Sequence, residues 1–213
     1  MAGDATLRLA LPKGRIFDAA LAALRAAGYR LAGLEEPGRR LHWEFPDEGL
    51  EAFILKDWDL PLYVEQGIAD AGIVGSDVID EVDGDLLAPL ALFDGRCRLS
   101  LIGRPGTLPR PGAQVRLASK YPQTARAFVA TAPWSAEVVR LSGSVELAPV
   151  LGLAELALDV VQTGRTLAEH GLVELAVVRE VAPRLVVNRG AFLRHRRALG
   201  ELCERLERAE VAQ

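Results

Sequence analysis

Thr163-Gly164-Arg165-Thr166 follows the apolar run Leu156–Val161 (LALDVV) and precedes a segment with helical spacing. A glycine in a strand-to-helix turn, flanked by hydroxyl residues, turns several backbone amides toward one anion, and the positive end of the following helix adds attraction. Thr163 and Thr166 each carry a hydroxyl donor, and Arg165 has the forked geometry that suits phosphate. Each amide or hydroxyl bond contributes roughly 1 kcal/mol net, and each bond to a charged group about 1.5–3 kcal/mol. The same four residues also read as a plain turn, with Thr163 capping the helix and Gly164 making the corner. Asp159 separates the two readings. It ends an otherwise apolar strand, where a carboxylate is costly unless it is hydrogen-bonded. Two ribose hydroxyls would satisfy it, with the phosphate of the same sugar in the adjacent turn.

A second candidate lies near the N-terminus, where Lys13 and Arg15 flank Gly14 between a strand and a helix. Cations at a helix start oppose its dipole, which favours a role in binding a diphosphate or triphosphate. The chain has no GxxxxGK[ST], none of its three lysines follows a glycine, and neither glycine-rich stretch fits GxGxxG. A P-loop and a dinucleotide fingerprint are thereby excluded.

The elements that must position these residues alternate. TLRLAL (6–11) reads as a strand, and IFDAALAALRAAG as a helix ending at Gly28. LHWEF and LEAFIL bracket Pro46–Gly49 as a hairpin after the Pro-Gly loop EEPGRR (35–40). Asp59 is placed to cap a short helix with Pro61 in its first turn, ADAGIVG (69–75) is a buried strand, and Ser76-Asp77 is placed to cap the next helix. The pattern restarts at RCRLSLIG (96–103), passes a Pro/Gly-rich stretch at 104–112, and continues through strands at VRLAS, EVVRLS, LALDVV, LVELAVV and RLVVN. A terminal amphipathic helix carries Leu193, Leu199, Leu202 and Leu206. Such alternation implies α/β architecture with mainly parallel sheets. The restart near residue 94 implies two lobes with a ligand cleft between them.

At 213 residues, half of them hydrophobic, the chain can bury a sizeable core, and its formal charge of −4 lacks the basic footprint of a nucleic-acid binder. Cys97 and Cys203 are far apart and no histidines cluster, so neither a zinc site nor a disulfide framework is expected. The start shows no basic-then-apolar signal pattern and no apolar run is long enough to span a bilayer, so a cytoplasmic, membrane-free protein is expected. Trp43, Trp58 and Trp134 read as packing residues, Asp70 as structural, and His42, His170 and His195 as lacking partners for catalysis.

GSVELAPVLGLAELALDVVQTGRTL (143–167) resembles the signature of the ATP phosphoribosyltransferase family: a glutamate, five intervening residues, a glycine, then a small residue, then an aspartate with an aliphatic neighbour, and [ST]-G-x-T-[LM]. Glu146, Gly152, Ala154, Asp159, Val160, Thr163, Gly164, Thr166 and Leu167 meet it. LALPKGRIFD and DLPLYVEQGIADAGIVGSDV (59–78) resemble further family segments, as do RCRL, LASKYP and RLVVN, in order. Ala157 departs from the family's usual Ile or Val at a core position. Lys56 stands where an arginine is usual, which removes a forked contact.

The resemblance implies a two-lobed, type II periplasmic-binding-protein-like fold. Residues 1–93 with 183–213 would form the ATP side, and 94–182 the phosphoribosyl diphosphate side. It implies transfer of the phosphoribosyl group to N1 of the adenine of ATP, the first step of histidine biosynthesis. Glu146 and Asp159 would hold ribose hydroxyls, and Thr163, Gly164, Arg165 and Thr166 the 5-phosphate. Lys13, Gly14, Arg15 and Asp77 would meet ATP, and Arg15 and Arg39 would offset charge in catalysis. Arg39 also reads as a solvated loop arginine, and Asp77 as a helix cap. Magnesium is implied on the substrates, with no dedicated protein metal site. Long-form relatives carry an extra histidine-binding domain; this chain, ending at Gln213, is expected to be the short form. It would have a homodimeric core and a regulatory subunit similar to histidyl-tRNA synthetase. Two rival readings are a two-lobed binding module and a phosphoribosyltransferase for another base.

Overall fold

The computed structural model describes residues 6–36, 38–92 and 95–211. Outside them lie the expected lobe boundary at 93–94, Pro37 of the Pro-Gly loop, the last two residues of the terminal segment, and the first five residues, on which the reading of a leaderless start partly rests. By internal contacts the chain forms two units: one runs to Gly95 and resumes at Ala182, and the other is Arg96–Val181.

Unit 1 opens with β1 (Leu7–Lys13), α1 (Phe17–Ala26), β2 (His42–Phe45), β3 (Leu50–Lys56), α2 (Leu60–Glu65), β4 (Ala71–Gly75), α3 (Ser76–Val82) and β5 (Leu87–Ala91). Unit 2 contains β6 (Cys97–Gly103), β7 (Gln114–Ser119), α4 (Pro122–Thr131), β8 (Ser135–Arg140), α5 (Leu147–Leu151), β9 (Leu156–Val161), α6 (Arg165–Glu169) and β10 (Val173–Val181). The chain then returns to unit 1 with β11 (Pro183–Val187), α7 (Arg189–Arg194) and α8 (Arg196–Val211). The two sheets have strand orders β2-β3-β1-β4-β11-β5 and β10-β6-β9-β7-β8.

The expectation of mainly parallel sheets is not met. Among the described residues β1 is parallel to β3 and β4, and β7 to β8 and β9; the other five pairings are antiparallel. β2 and β3 are joined by one 3-10 turn at Pro46–Glu48, and so short a link permits only an antiparallel pair. β5, short and irregularly paired to β11, went unread in the sequence.

The core of unit 1 packs Phe17, Leu21 and Leu24 of α1 with Leu199, Leu202 and Leu206 of α8, all buried. Each such side chain contributes roughly 1.5–3 kcal/mol on burial. Leu193 is 78 % exposed and does not join them. Six residues on from Leu193, a continuous helix has turned through about 240°, so one straight helix cannot face both Leu193 and Leu199 to the core. The expected single terminal helix is in fact broken at His195, and Leu193 lies on the short segment before the break.

Asp70 ties the central strands of unit 1. Only 1 % exposed, it accepts the backbone amide of Arg8 at 2.9 Å and two guanidinium bonds from Arg8 at 3.3 and 3.1 Å. Its backbone carbonyl accepts the amide of Asn188 at 3.0 Å. This joins β1, β4 and the end of β11, the structural role its burial implies. The expected side-chain caps differ. Asp59 occupies the cap position of α2 without a capping bond, and α3 starts from Gly75 rather than Ser76 or Asp77. The Ser76 hydroxyl instead accepts the Ala182 amide at 3.2 Å.

Candidate active site

In each unit the candidate residues lie at the carboxyl ends of the parallel strands, where open α/β sheets bind ligands. In unit 2, β9 runs Leu156, Ala157, Leu158, all fully buried, then Asp159 and Val160 at partial exposure. The strand thus delivers Asp159 to the sheet edge just as its burial relaxes. The chain then turns through Gln162, Thr163 and Gly164. Gly164 has φ +74°, a left-handed conformation that costs other residues roughly 1–2 kcal/mol. The Thr163 hydroxyl accepts the Arg165 amide at 3.4 Å, and Gly164 stands at the cap position of α6.

Glu146, thirteen positions before Asp159 in sequence, stands at the cap position of α5. It follows Ser144, whose φ of +48° is rare for a residue with a side chain. Glu146, Asp159, Gln162, Thr163, Gly164, Arg165 and Thr166 line one cavity of about 310 Å³, together with the apolar Ile102 and Leu167. The six residues singled out for a phosphoribosyl group are therefore brought together. Two carboxylates stand near an exposed turn with hydroxyl, amide and guanidinium donors, a set that suits a polyol carrying a phosphate. α6 has only five residues, so its dipole adds less than the sequence pattern implied.

Beneath this turn lies a charged cluster that sequence reading missed. Arg98 on β6 donates through Nε to Glu174 at 2.6 Å and also through Nη2. The buried Ser100 hydroxyl donates to the same carboxylate at 2.7 Å. The hydrogen bond from Arg98, ahead of that from Ser100, holds the Glu174 carboxyl below its usual range. No local pattern marks this pair, because its members lie 76 residues apart.

In unit 1, β1 and β3 end in register at Lys13 and Lys56. Gly14 follows with φ +103°. Lys13, Arg15, Asp57 and Asp77 border a small depression of about 20 Å³. Arg15 is exposed and donates to the Gly95 carbonyl at 3.1 Å. Asp77 is 3 % exposed, and its carboxylate lies so close over Gly75 that a Cβ there would stand 2.0 Å from Oδ1. A larger, mostly apolar cavity of about 250 Å³ is lined by Lys13, Gly14, Phe17, Gly38, Arg40, Leu41 and Ile54. Arg39 is exposed and borders neither cavity, whereas Arg40 lines the larger one. Arg40 also donates to the His42 carbonyl at 2.6 Å and stacks over Trp43.

His42 has partners after all. It contacts Glu51 at 2.6 Å and stacks on Phe53, its cross-strand neighbour. With Glu44 these groups form an exposed cluster on the β2–β3 hairpin. Trp43 and Trp134 are buried, as packing residues should be, and Trp58 packs against the α2–β4 core. Cys97 is buried and Cys203 half-buried, and neither is joined in a disulfide. Among the described residues no helix is long and apolar enough to cross a membrane.

A family model described as HisG, ATP phosphoribosyltransferase, matches residues 56–208. An ATP phosphoribosyltransferase of Halalkalibacterium halodurans is 40 % identical over 200 residues, 94 % of each chain. One from a Geobacillus strain is 42 % identical over 94 % of this chain and 97 % of its own. Among solved structures, an ATP phosphoribosyl transferase (HisG:HisZ) complex from Thermotoga maritima contains a chain with TM-score 0.82 and 29 % identity, matched over 97 % of this chain and all of that one. The periplasmic aliphatic sulphonate binding protein SsuA of Escherichia coli, at 12 % identity, shares the fold with TM-score 0.63 over 97 % of this chain and 72 % of its own.

Proposed function

From the premise that the chain belongs to the ATP phosphoribosyltransferase family, we propose which residues carry the family's reaction here. The enzyme joins N1 of the adenine of ATP to the anomeric carbon of phosphoribosyl diphosphate, the first step of histidine biosynthesis. The bond from that carbon to the diphosphate oxygen breaks, and diphosphate leaves. As the ribose becomes oxocarbenium-like and the leaving group gains charge, positioning and electrostatic stabilisation dominate the protein's contribution.

The phosphoribosyl group occupies the unit 2 cavity. Thr163, Gly164, Arg165 and Thr166 bind its 5-phosphate, and Glu146 and Asp159 accept hydrogen bonds from its ribose hydroxyls. The carrying observation is that two carboxylates thirteen residues apart line the same cavity as the Thr-Gly-Arg-Thr turn. On unit 1, Lys13, Gly14, Arg15 and Asp77 meet ATP, and Arg15 with Arg39 offsets phosphate charge in the transition state. The positive φ of Gly14 and the shared border of Lys13, Arg15 and Asp77 support the ATP assignment. Residues up to 93 and from 183 form the ATP side, and 94–182 the phosphoribosyl side.

Magnesium accompanies the substrates, and Glu146 and Asp159 are oxygen donors of the kind this hard cation accepts, alongside substrate oxygens and water. Bound magnesium would neutralise diphosphate charge. The chain is a short-form catalytic subunit with a homodimeric core, working in the cytoplasm with a HisZ-like, histidyl-tRNA-synthetase-like regulatory subunit. The match to the whole length of a chain in a HisG:HisZ complex supports that assembly.

The test mixes the protein with ATP, phosphoribosyl diphosphate and magnesium and follows the ultraviolet change of N1-alkylated adenine. Product formation is expected. Its absence, with and without a HisZ-type subunit, would overturn the reading.

A further inference from the structure

We propose that the Arg98–Glu174–Ser100 cluster is a positioning unit that fixes the phosphoribosyl turn and cancels a negative charge beneath it; the proposal rests on the phosphoribosyl reading of the unit 2 cavity. Register places the cluster under the site. On β6, Arg98 lies opposite Val161 and Ser100 opposite Asp159, so Arg98, Ser100, Asp159 and Val161 share one face of the sheet. Glu174, opposite Ile102 on β10, reaches the same face. A Cβ built on Gly164 would lie 4.0 Å from Glu174 Oε1, so the turn rests almost directly on this carboxylate.

Arg98 therefore acts twice. Its Nε and Nη2 hold the Glu174 carboxylate, while Nη1 donates at 3.4 Å to the carbonyl of Gln162, the residue that starts the turn. Turning that carbonyl toward Arg98 keeps it away from the anion site and leaves the following amides available to it. The electrostatic part is as direct. An unpaired carboxylate one van der Waals contact below a phosphate site would repel the ligand, and pairing with a guanidinium removes most of that field. Ser100, fully buried, donates to the same Oε2 that accepts Arg98 Nε, a second anchor that helps the pair keep its geometry. None of the three side chains lines the cavity, which is why their effect must pass through the turn.

Arg98→Met should raise the KM for phosphoribosyl diphosphate about tenfold or more, the equivalent of one charge-assisted hydrogen bond, with the KM for ATP within about twofold of wild type. Adding Glu174→Gln to Arg98→Met should recover part of the lost affinity, because the bare charge is gone. A merely structural role would not give such recovery. Arg98→Lys keeps the charge but loses the fork and should show a smaller rise in the same KM. It carries the test if Arg98→Met does not fold, and a wild-type KM in folded Arg98→Lys would then overturn the proposal. Thr166→Val, which alters the cavity and not the cluster, separates the two levels. Raised KM in Thr166→Val with unchanged KM in Arg98→Met overturns the positioning role alone; unchanged KM in Thr166→Val overturns the phosphoribosyl reading beneath it.

Discussion

Replacing Gly164 by alanine asks whether the turn's left-handed backbone serves binding or only folding. Two costs can arise. The steric one is small, because the nearest atoms to a new Cβ, Glu174 Oε1 and Val161 Cγ1, stand at 4.0 Å, an ordinary van der Waals separation. The conformational one remains: φ at Gly164 is +74°, and alanine holds that geometry at about 1–2 kcal/mol. Thr163 and Arg165 on either side are exposed, and Arg98 anchors only the Gln162 carbonyl ahead of them, so the backbone after Gln162 can relax in the free protein and shed the strain. Ligand must then restore the strained turn, and the cost appears in affinity. A Kd for phosphoribosyl diphosphate weaker by about 5–30-fold is expected, with little loss of stability and unchanged ATP affinity. Gly171→Ala is the control. Its φ is +67° and a Cβ meets nothing within 4 Å, but it lies past the end of α6, away from the cavity. Calorimetric titration of both variants with phosphoribosyl diphosphate and magnesium decides the matter. Wild-type affinity in Gly164→Ala, or an equal loss in Gly171→Ala, refutes the reasoning.

Arg15→Ala should lower kcat roughly a hundredfold or more, since removing one charge-assisted hydrogen bond from a transition state costs about 2.7–4 kcal/mol; single-turnover rates measure it, and an unchanged rate removes Arg15 from the catalytic set. Asp70→Ala should cost about 3 kcal/mol of stability in urea unfolding, the low end for breaking a buried pair, because the Arg8 side chain is 36 % exposed and can rehydrate. Its kcat per folded molecule should stay at the wild-type value. Glu155 is held down to about 2, first by the hydrogen bond from the Arg116 side chain and then by that from the Arg116 amide. Its carboxylate therefore adds stability above its usual 4.5 that disappears as pH falls from 4.5 toward 2. Thermal melts of wild type and Glu155→Gln should differ by a small amount at pH 6, the pair being half exposed, and converge near pH 2.5; a constant gap would refute the linkage.

The local parts of the site were legible because the pattern and the chemistry agree over short spans. LALDVV is a strand with the bounds its composition suggests, and Gly164 in the turn after it takes the left-handed φ that a glycine allows. Longer-range facts were not legible. That β11 returns antiparallel between β4 and β5 depends on the chain re-entering unit 1 after one residue, with no crossover helix. Arg39 and Arg40 are indistinguishable in a polar loop; only the fold turns Arg40 into the apolar cavity and over Trp43. His42 and Glu51 meet across a hairpin whose strands could be read but whose diagonal neighbours could not.

The same limit explains why the anion site needs more than its signature. A helix as short as α6 supplies little dipole, so amides, hydroxyls and Arg165 must carry the attraction. Those groups act only if the turn is held in one conformation and if nearby negative charge is compensated. On the proposed reading Glu146 and Asp159 accept ribose hydroxyls, and as carboxylates they would add to the adverse field on a phosphate. Glu174 would make a third negative charge close by, and the fold answers it with a forked guanidinium and a buried hydroxyl. If the cavity is the proposed phosphate site flanked by two substrate-facing carboxylates, an uncompensated third would weaken it, and that constraint would tie an arginine on β6 to a turn 64 residues away.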